Sequence, residues 1–139
     1  MGIFGKSNKQ SKSDNGATII SQGTTIKGGI DTKGSVFIDG KFEGIIISAN
    51  SVNIGKTGEV VGEIRTKNLI VNGVIDGVFD VTDIHILSDG KVFGKLQYED
   101  MTIDHNGIFD GMGKKKNSTF NSKYDSLEIN TQNYIDIEK

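Results

Sequence analysis

Apolar and polar residues alternate in short runs through the middle of the chain. Pairs of apolar residues two positions apart recur at Val36/Ile38, Val52/Ile54, Leu69/Val71, Ile84/Ile86 and Met101/Ile103. A period of two predicts short strands with one buried face. After each pair comes a related six-residue segment: DGKFEG (39–44), TGEVVG (57–62), NGVIDG (72–77), DGKVFG (89–94) and NGIFDG (106–111). Each reads polar, Gly, any, apolar, any, Gly, and the apolar member is Phe42, Val60, Ile75, Val92 and Phe109 in turn. A weaker copy precedes them, with Ile26 and Gly28 in the matching places. A further apolar residue sits two places beyond four of the closing glycines, at Ile46, Ile64, Phe79 and Leu96. The closing glycines fall at 28, 44, 62, 77, 94 and 111, with spacings of 16, 18, 15, 17 and 17.

One unit of this length cannot enclose a core, but stacked units can, each strand pairing in register with its copy above and below. The pattern therefore predicts an all-β solenoid of about six rungs, roughly 4.8 Å apart. Ile, Val and Phe ladders fill its interior, each buried side chain contributing about 1.5–3 kcal/mol. The glycines, and the Asp or Asn before the first of them, are expected at corners where φ is positive. A β-sandwich also yields short alternating strands, but it does not demand one Gly-bounded motif at five places.

Composition agrees. The 139 residues include 19 Gly and no Pro, Cys or Trp, where average usage gives roughly 10 Gly and 7 Pro. Ile and Val total 29, while Leu and Ala total 6, a balance that suits β structure and excludes a helical bundle. The absent cysteines exclude a disulfide scaffold, thiolate metal sites and a Cys nucleophile. The net charge of −2 is unevenly spread: residues 1–16 carry +3 − 1 = +2, residues 17–113 carry +8 − 13 = −5, and residues 114–139 carry +5 − 4 = +1. An acidic body argues against nucleic acid as a partner. Three regions follow: a polar N-terminal tail (1–16), the repeat domain (17–113) and a polar C-terminal tail (114–139), both tails expected to be flexible. Tyr124, Leu127, Tyr134 and Ile137 are candidate anchors for a partner in the second tail. No apolar run suits a membrane span or a secretory signal, which with the absent cysteines suits the cytoplasm.

Catalytic and cofactor chemistry finds no foothold. His85 lies between Ile84 and Ile86 and points outward, and His105 lies near a corner. They occupy different places in their repeats, and no third His exists for a three-His metal site. Asp76, Asp80, Asp89 and Asp110 fall at outward or corner positions and read as a solvated surface. The Gly-Lys pairs at 40–41, 55–56 and 90–91 are corner residues, because no helix follows them and no GK[ST] occurs. No catalytic residue, cofactor or metal is expected.

The ends carry the interest. A soluble monomeric solenoid needs polar capping repeats, and the terminal repeats here are apolar: Ile19, Ile20, Ile26 and Ile30 first, Met101, Ile103, Ile108, Phe109 and Met112 last. No proline blunts either edge. The candidate assembly residues are Ile19, Ile20 and Ile26 at the N-terminal end and Met101, Ile103, Ile108 and Phe109 at the C-terminal end. Phe109 reads equally as plain core. The tip Met1-Gly2-Ile3-Phe4-Gly5-Lys6, followed by Lys9 and Lys12, joins an apolar start to a basic flank, a pattern suited to an anionic membrane surface. Two inserted side chains give about 3 kcal/mol, and an assembly presenting many tips binds with avidity.

The repeated Gly-bounded motif and the opening segment ATIISQGTTIKG (17–28), through Thr18, Ile20, Gly23, Thr24, Ile26 and Gly28, resemble the bactofilins over residues 17–113. The resemblance implies a right-handed parallel β-helix of about six rungs. It also implies a non-enzymatic cytoskeletal protein that polymerises without nucleotide into non-polar filaments. Such filaments line the inner face of the bacterial cell membrane, influence cell shape and localise peptidoglycan-modifying enzymes. Two other readings stand beside it. A left-handed β-helix acyltransferase suits the two hexads in IGKTGEVVGEIR (54–65), but the phase breaks at Thr66 and Asn72. An adaptor that binds partners without polymerising is the second.

Overall fold

The computed structural model describes residues 16–116. These form nine strands: β1 (Ala17–Ile20), β2 (Thr25–Thr32), β3 (Ser35–Ile38), β4 (Lys41–Ile54), β5 (Glu59–Val71), β6 (Val74–Ile86), β7 (Lys91–Tyr98), β8 (Asp100–Ile103) and β9 (Ile108–Lys115). Every pairing between them is parallel. The described residues contain no helix. Ala17, Ser35, Ser51, Asn68, Asp83 and Asp100 stack in register as the first residues of six successive rungs. The parallel β-solenoid of about six rungs expected from the repeat is the fold observed.

Each rung has three sides. Side one comprises 17–20 and its copies 35–38, 51–54, 68–71, 83–86 and 100–103. Side two comprises 25–27, 41–43, 59–61, 74–76, 91–93 and 108–110. Side three comprises 29–32, 45–48, 63–66, 78–81, 95–98 and 112–115. Alternation sends every second side chain inward, and the inward residues stack in columns. Val36, Val52, Leu69 and Ile84 form one column; Ile20, Ile38, Ile54, Val71 and Ile86 a second. Phe42, Val60, Ile75 and Val92 form a third; Ile46, Ile64, Phe79 and Leu96 a fourth. All are buried. These are the alternating pairs and motif positions of the sequence.

The uneven repeat length has a simple origin in two corners. Between sides one and two the chain turns either over four residues or over two. The four-residue turns, such as Gly55–Gly58, close with a bond from the Gly58 N–H to the Gly55 carbonyl (2.8 Å). The two-residue turns are Asp39-Gly40 and Asn72-Gly73. Between sides three and one the link is two residues in the first two rungs and one in the later ones, which shifts the register between Ser48 and Ser51. The four combinations account for first-residue spacings of 18, 16, 17, 15 and 17.

The two glycines of the motif do different work. In the first five rungs the closing glycine bends the chain between sides two and three with positive φ, as at Gly62 (138°), and from the second rung on it stacks on its copy in the rung before. A Cβ on Gly62 would run into the Gly44 carbonyl. The first glycine does not have the positive φ that the sequence suggests. At Gly58 the constraint is space: a Cβ there would lie 2.9 Å from Cγ2 of Ile54 and closer still to the Ile38 carbonyl oxygen. Among non-glycine described residues, positive φ occurs at Asn106 (77°).

A fifth inward column is polar at one end. Thr32, Ser48 and Thr66 stack in register, and Ser48 and Thr66 are buried. The Ser48 hydroxyl donates to the Gly34 carbonyl at 2.7 Å and accepts from the Asn50 N–H at 3.1 Å. Thr66 donates to the Asn50 carbonyl at 3.3 Å. These hydroxyls satisfy corner backbone that the ladder leaves unpaired.

Candidate functional site

The two ends of the rod are where the fold is incomplete. β1 and β2 pair on one side only, with β3 and β4, and β8 and β9 pair on one side only, with β6 and β7. Both terminal rungs therefore present a parallel sheet edge whose outer hydrogen-bonding groups lack a strand partner among the described residues. Such an edge templates pairing with another chain unless it is blunted.

At the N-terminal end the expected residues fall into two groups. Ile20 and Ile26 lie in inward columns, over Ile38 and Phe42. Ile20 is already buried, whereas Ile26 is 37 % exposed. Ile19 lies over Phe37 on the outside of side one and is 66 % exposed, so it is a side residue at the rim of the end. Ile30 packs partly buried against the core.

At the C-terminal end Met101, Ile103 and Phe109 occupy inward columns over Ile84, Ile86 and Val92. Met101 and Phe109 pack partly buried against the core, and Ile103 is 43 % exposed. Ile108 stands over Lys91 on the outside of side two, exposed like Met112 over Lys95. In the fourth column the apolar series stops at Gly113, stacked on Leu96. The rings of Phe109 and Tyr98 close on the vacated space, 3.2 and 3.3 Å from where a Gly113 Cβ would stand.

The solenoid runs two residues past 113, to Lys115. The Lys116 N–H donates to the Tyr98 carbonyl at 2.6 Å, and the Lys116 ammonium pairs with the Asp80 carboxylate on the outside of side three. That latch across the last rungs has no signature in the sequence, since it joins residues 36 apart. The candidate membrane tip Met1, Ile3, Phe4 and Lys6, and the anchors Tyr124, Leu127, Tyr134 and Ile137, lie outside the described residues.

The other titratable groups are spread along the sides. His85 points outward from side one, and its Nε2 lies 2.7 Å from Oδ1 of Asp104 in the last corner, both side chains more than two-fifths exposed. His105 sits in the turn closed by Gly107 N–H and the Asp104 carbonyl. Lys27–Glu43 (4.0 Å) and Lys41–Glu59 (3.7 Å) link rungs on side two, and Arg65–Glu63 (2.7 Å) lies on side three. Exposed pairs of this kind contribute about 0–1 kcal/mol each. Among the described residues no group of three or more His, Asp or Glu is placed to hold a metal ion.

A rod of stacked, similar rungs that ends in two open, partly apolar edges belongs to the class of parallel β-solenoids. Comparison with protein families agrees: the family described as Bactofilin, polymer-forming cytoskeletal, matches residues 18–114. That span takes in all six rungs, and the chain belongs to the bactofilin family. No curated protein and no solved structure matches it.

Proposed function

We propose that this chain is a non-enzymatic scaffold. It assembles end to end into nucleotide-independent, non-polar filaments at the inner face of the bacterial cell membrane. There the filaments help set cell shape by localising peptidoglycan-modifying proteins. The observation that carries the reading is the pair of open terminal rungs, Ile26 exposed at one and Ile103 at the other.

The arrangement of the last rung supports like-to-like contacts. Two copies related by a two-fold axis through the Gly111 corner would pair β9 antiparallel with the partner's β9. Counting outward from Gly111, Phe109 then falls opposite the partner's Gly113, a large ring against an inward position that carries no side chain. An axis that also crosses side one at Thr102 would set Met101 opposite the partner's Ile103, both in inward columns. Alternating two-fold contacts at the two ends give an open filament without polarity.

Cysteine cross-linking tests the register, because the chain has no native cysteine. Directly opposed antiparallel residues have Cα atoms about 4.5–5.5 Å apart, within disulfide reach. Mixing Met101→Cys and Ile103→Cys chains under oxidation is expected to give a disulfide dimer of one with the other. A disulfide between Met101→Cys and Thr18→Cys chains in its place would establish head-to-tail stacking.

A further inference from the structure

Lys116 carries the ladder one residue beyond β9. Lys115 stands over Tyr98, and the Lys116 N–H donates to the Tyr98 carbonyl at 2.6 Å, the bond of a parallel strand with Lys116 over Glu99. In rungs four to six one linking residue, Lys67, Thr82 or Glu99, leads into side one at Asn68, Asp83 or Asp100. The same link after Lys115 would start a seventh side one at Asn117, which lies with the rest of the C-terminal tail outside the described residues. The place it would take is open. The outer edge of β8 has no strand partner among the described residues, and Ile103 is exposed there.

The tail continues the repeat in a weakened form. Side one opens on Ser35, Ser51, Asn68, Asp83 and Asp100 in rungs two to six, and Asn117 extends that series. Alternation would then set Ser118 over Met101 and Phe120 over Ile103, in the two inward columns of this side. Asn121-Ser122 answers to the two-residue corners Asp39-Gly40 and Asn72-Gly73, each of which follows a four-residue corner, as 121–122 would follow 104–107. Lys123-Tyr124-Asp125 repeats Lys41-Phe42-Glu43 in kind and would set Tyr124 over Phe109. Ser126 falls 15 residues after Gly111, as Gly77 falls 15 after Gly62.

The departures are as informative as the match. Both motif glycines are serine in this copy. A Cβ on Gly73 would run into the Gly55 carbonyl, and one on Gly111 into the Gly94 carbonyl. A seventh rung therefore cannot close its corners as tightly as the rungs beneath it. Past Ser126 the match ends, because Glu128 takes the place of Ile46, Ile64, Phe79 and Leu96, where a carboxylate is costly to bury. Terminal repeats of solenoids are atypical and act as caps.

We propose that residues 117–126 dock on the C-terminal end of the rod as a detachable seventh rung, so that the occupant of the open edge is this chain's own tail. Burial of Phe120 and Tyr124 is set against the ordering of ten residues, a near balance that suits a contact able to open and close. The docking itself needs no second copy. Its regulatory consequence rests on the end-to-end assembly proposed above: tail and partner contend for the same edge, so an engaged tail keeps assemblies short and a displaced tail lets them grow.

Cysteine pairs in the full-length chain test the register. Thr102→Cys, on the outward face of β8, is combined in turn with Asn117→Cys, Thr119→Cys and Asn121→Cys, and the intrachain disulfide yield is read at high dilution under oxidation. The Thr119 pair is expected to exceed the other two several-fold, because only the proposed register sets 119 over 102. Adding Ser122→Gly and Ser126→Gly to that pair restores the corners and is expected to raise its yield. Adding Phe120→Asp is expected to lower it to the level of the other pairs. Equal yields from the three pairs, or a Thr119 yield that neither change moves, would overturn the seventh rung. Electron microscopy reads the consequence separately. Deleting residues 117–139 is expected to lower the protein concentration at which filaments appear. The oxidised Thr102→Cys, Thr119→Cys chain is expected to give short oligomers that elongate on reduction. The same filament threshold with and without the tail would overturn the regulatory consequence. No filaments from either chain would overturn the end-to-end reading, while the disulfide yields would still decide the docking of the tail.

Discussion

The Phe109 ring reaches across its own rung to Gly113, its Cε2 3.2 Å from the place a Gly113 Cβ would occupy. The column that holds Ile46, Ile64, Phe79 and Leu96 in the earlier rungs has no side chain in the last one, and Phe109 leans into the gap. The end rung therefore offers a ring folded toward a position that carries no side chain. Phe109→Arg is expected to leave the solenoid folded, because Phe109 is only partly buried, and to reduce assembly to monomers or short oligomers. Analytical ultracentrifugation with circular dichroism checks both halves, and long filaments from this variant would remove Phe109 from the contact.

Filling that position should have the same effect from the other side. Gly113→Leu is expected to displace Phe109 and block a partner's ring. Filament length measured by microscopy should fall sharply while the far-ultraviolet spectrum is unchanged.

The closing glycines set a different kind of limit. Gly62 combines φ of 138° with direct stacking on Gly44, whereas Gly29 has 3.7 Å of clearance to the Ile45 carbonyl. In the Phe109→Arg background, where unfolding is free of assembly, Gly62→Ala is expected to cost about 3 kcal/mol or more. Gly29→Ala is expected to change stability by less than about 1 kcal/mol. Denaturant titration reads the difference, and equal effects would discount the stacked corner.

Ser48 offers a test of the polar column. It is buried and bonded to Gly34 and Asn50. Ser48→Ala leaves those backbone groups short of a partner and is expected to destabilise by about 1–3 kcal/mol. Phe79→Ala, in the middle of the apolar column, is expected to cost about 3–5 kcal/mol.

Membrane binding through the tip is separable from assembly. Deleting residues 2–5 is expected to release filaments from anionic liposomes in a sedimentation assay without shortening them. Unchanged co-sedimentation would refute binding by this tip.

The residues that stack were legible because a period of two and a repeated glycine motif both report on the same inward face. Phe42, Val60, Ile75 and Val92 could be placed in one column from spacing alone. The roles of the two glycines could not be separated, since a demand for positive φ and a demand for space both select glycine: Gly62 answers to both, Gly58 to the second. Ile19 and Ile108 were legible as terminal and apolar, but their outward direction depends on the phase of each strand, which only register fixes. Nothing in the sequence marks Ser48 and Thr66 as buried, because polarity ordinarily means exposure; their burial follows from corner carbonyls that need donors. The Lys116–Asp80 latch depends on which residues the rungs bring to one face, and uneven rung lengths hide that alignment in the linear sequence.

The most direct measurement is negative-stain electron microscopy of the purified chain with no nucleotide or metal added. The account predicts thin, uniform filaments whose length collapses on Phe109→Arg. Discrete particles alone, across protein concentration and salt, would contradict assembly as the function and return attention to an adaptor or to His85 and His105 in an acyltransferase.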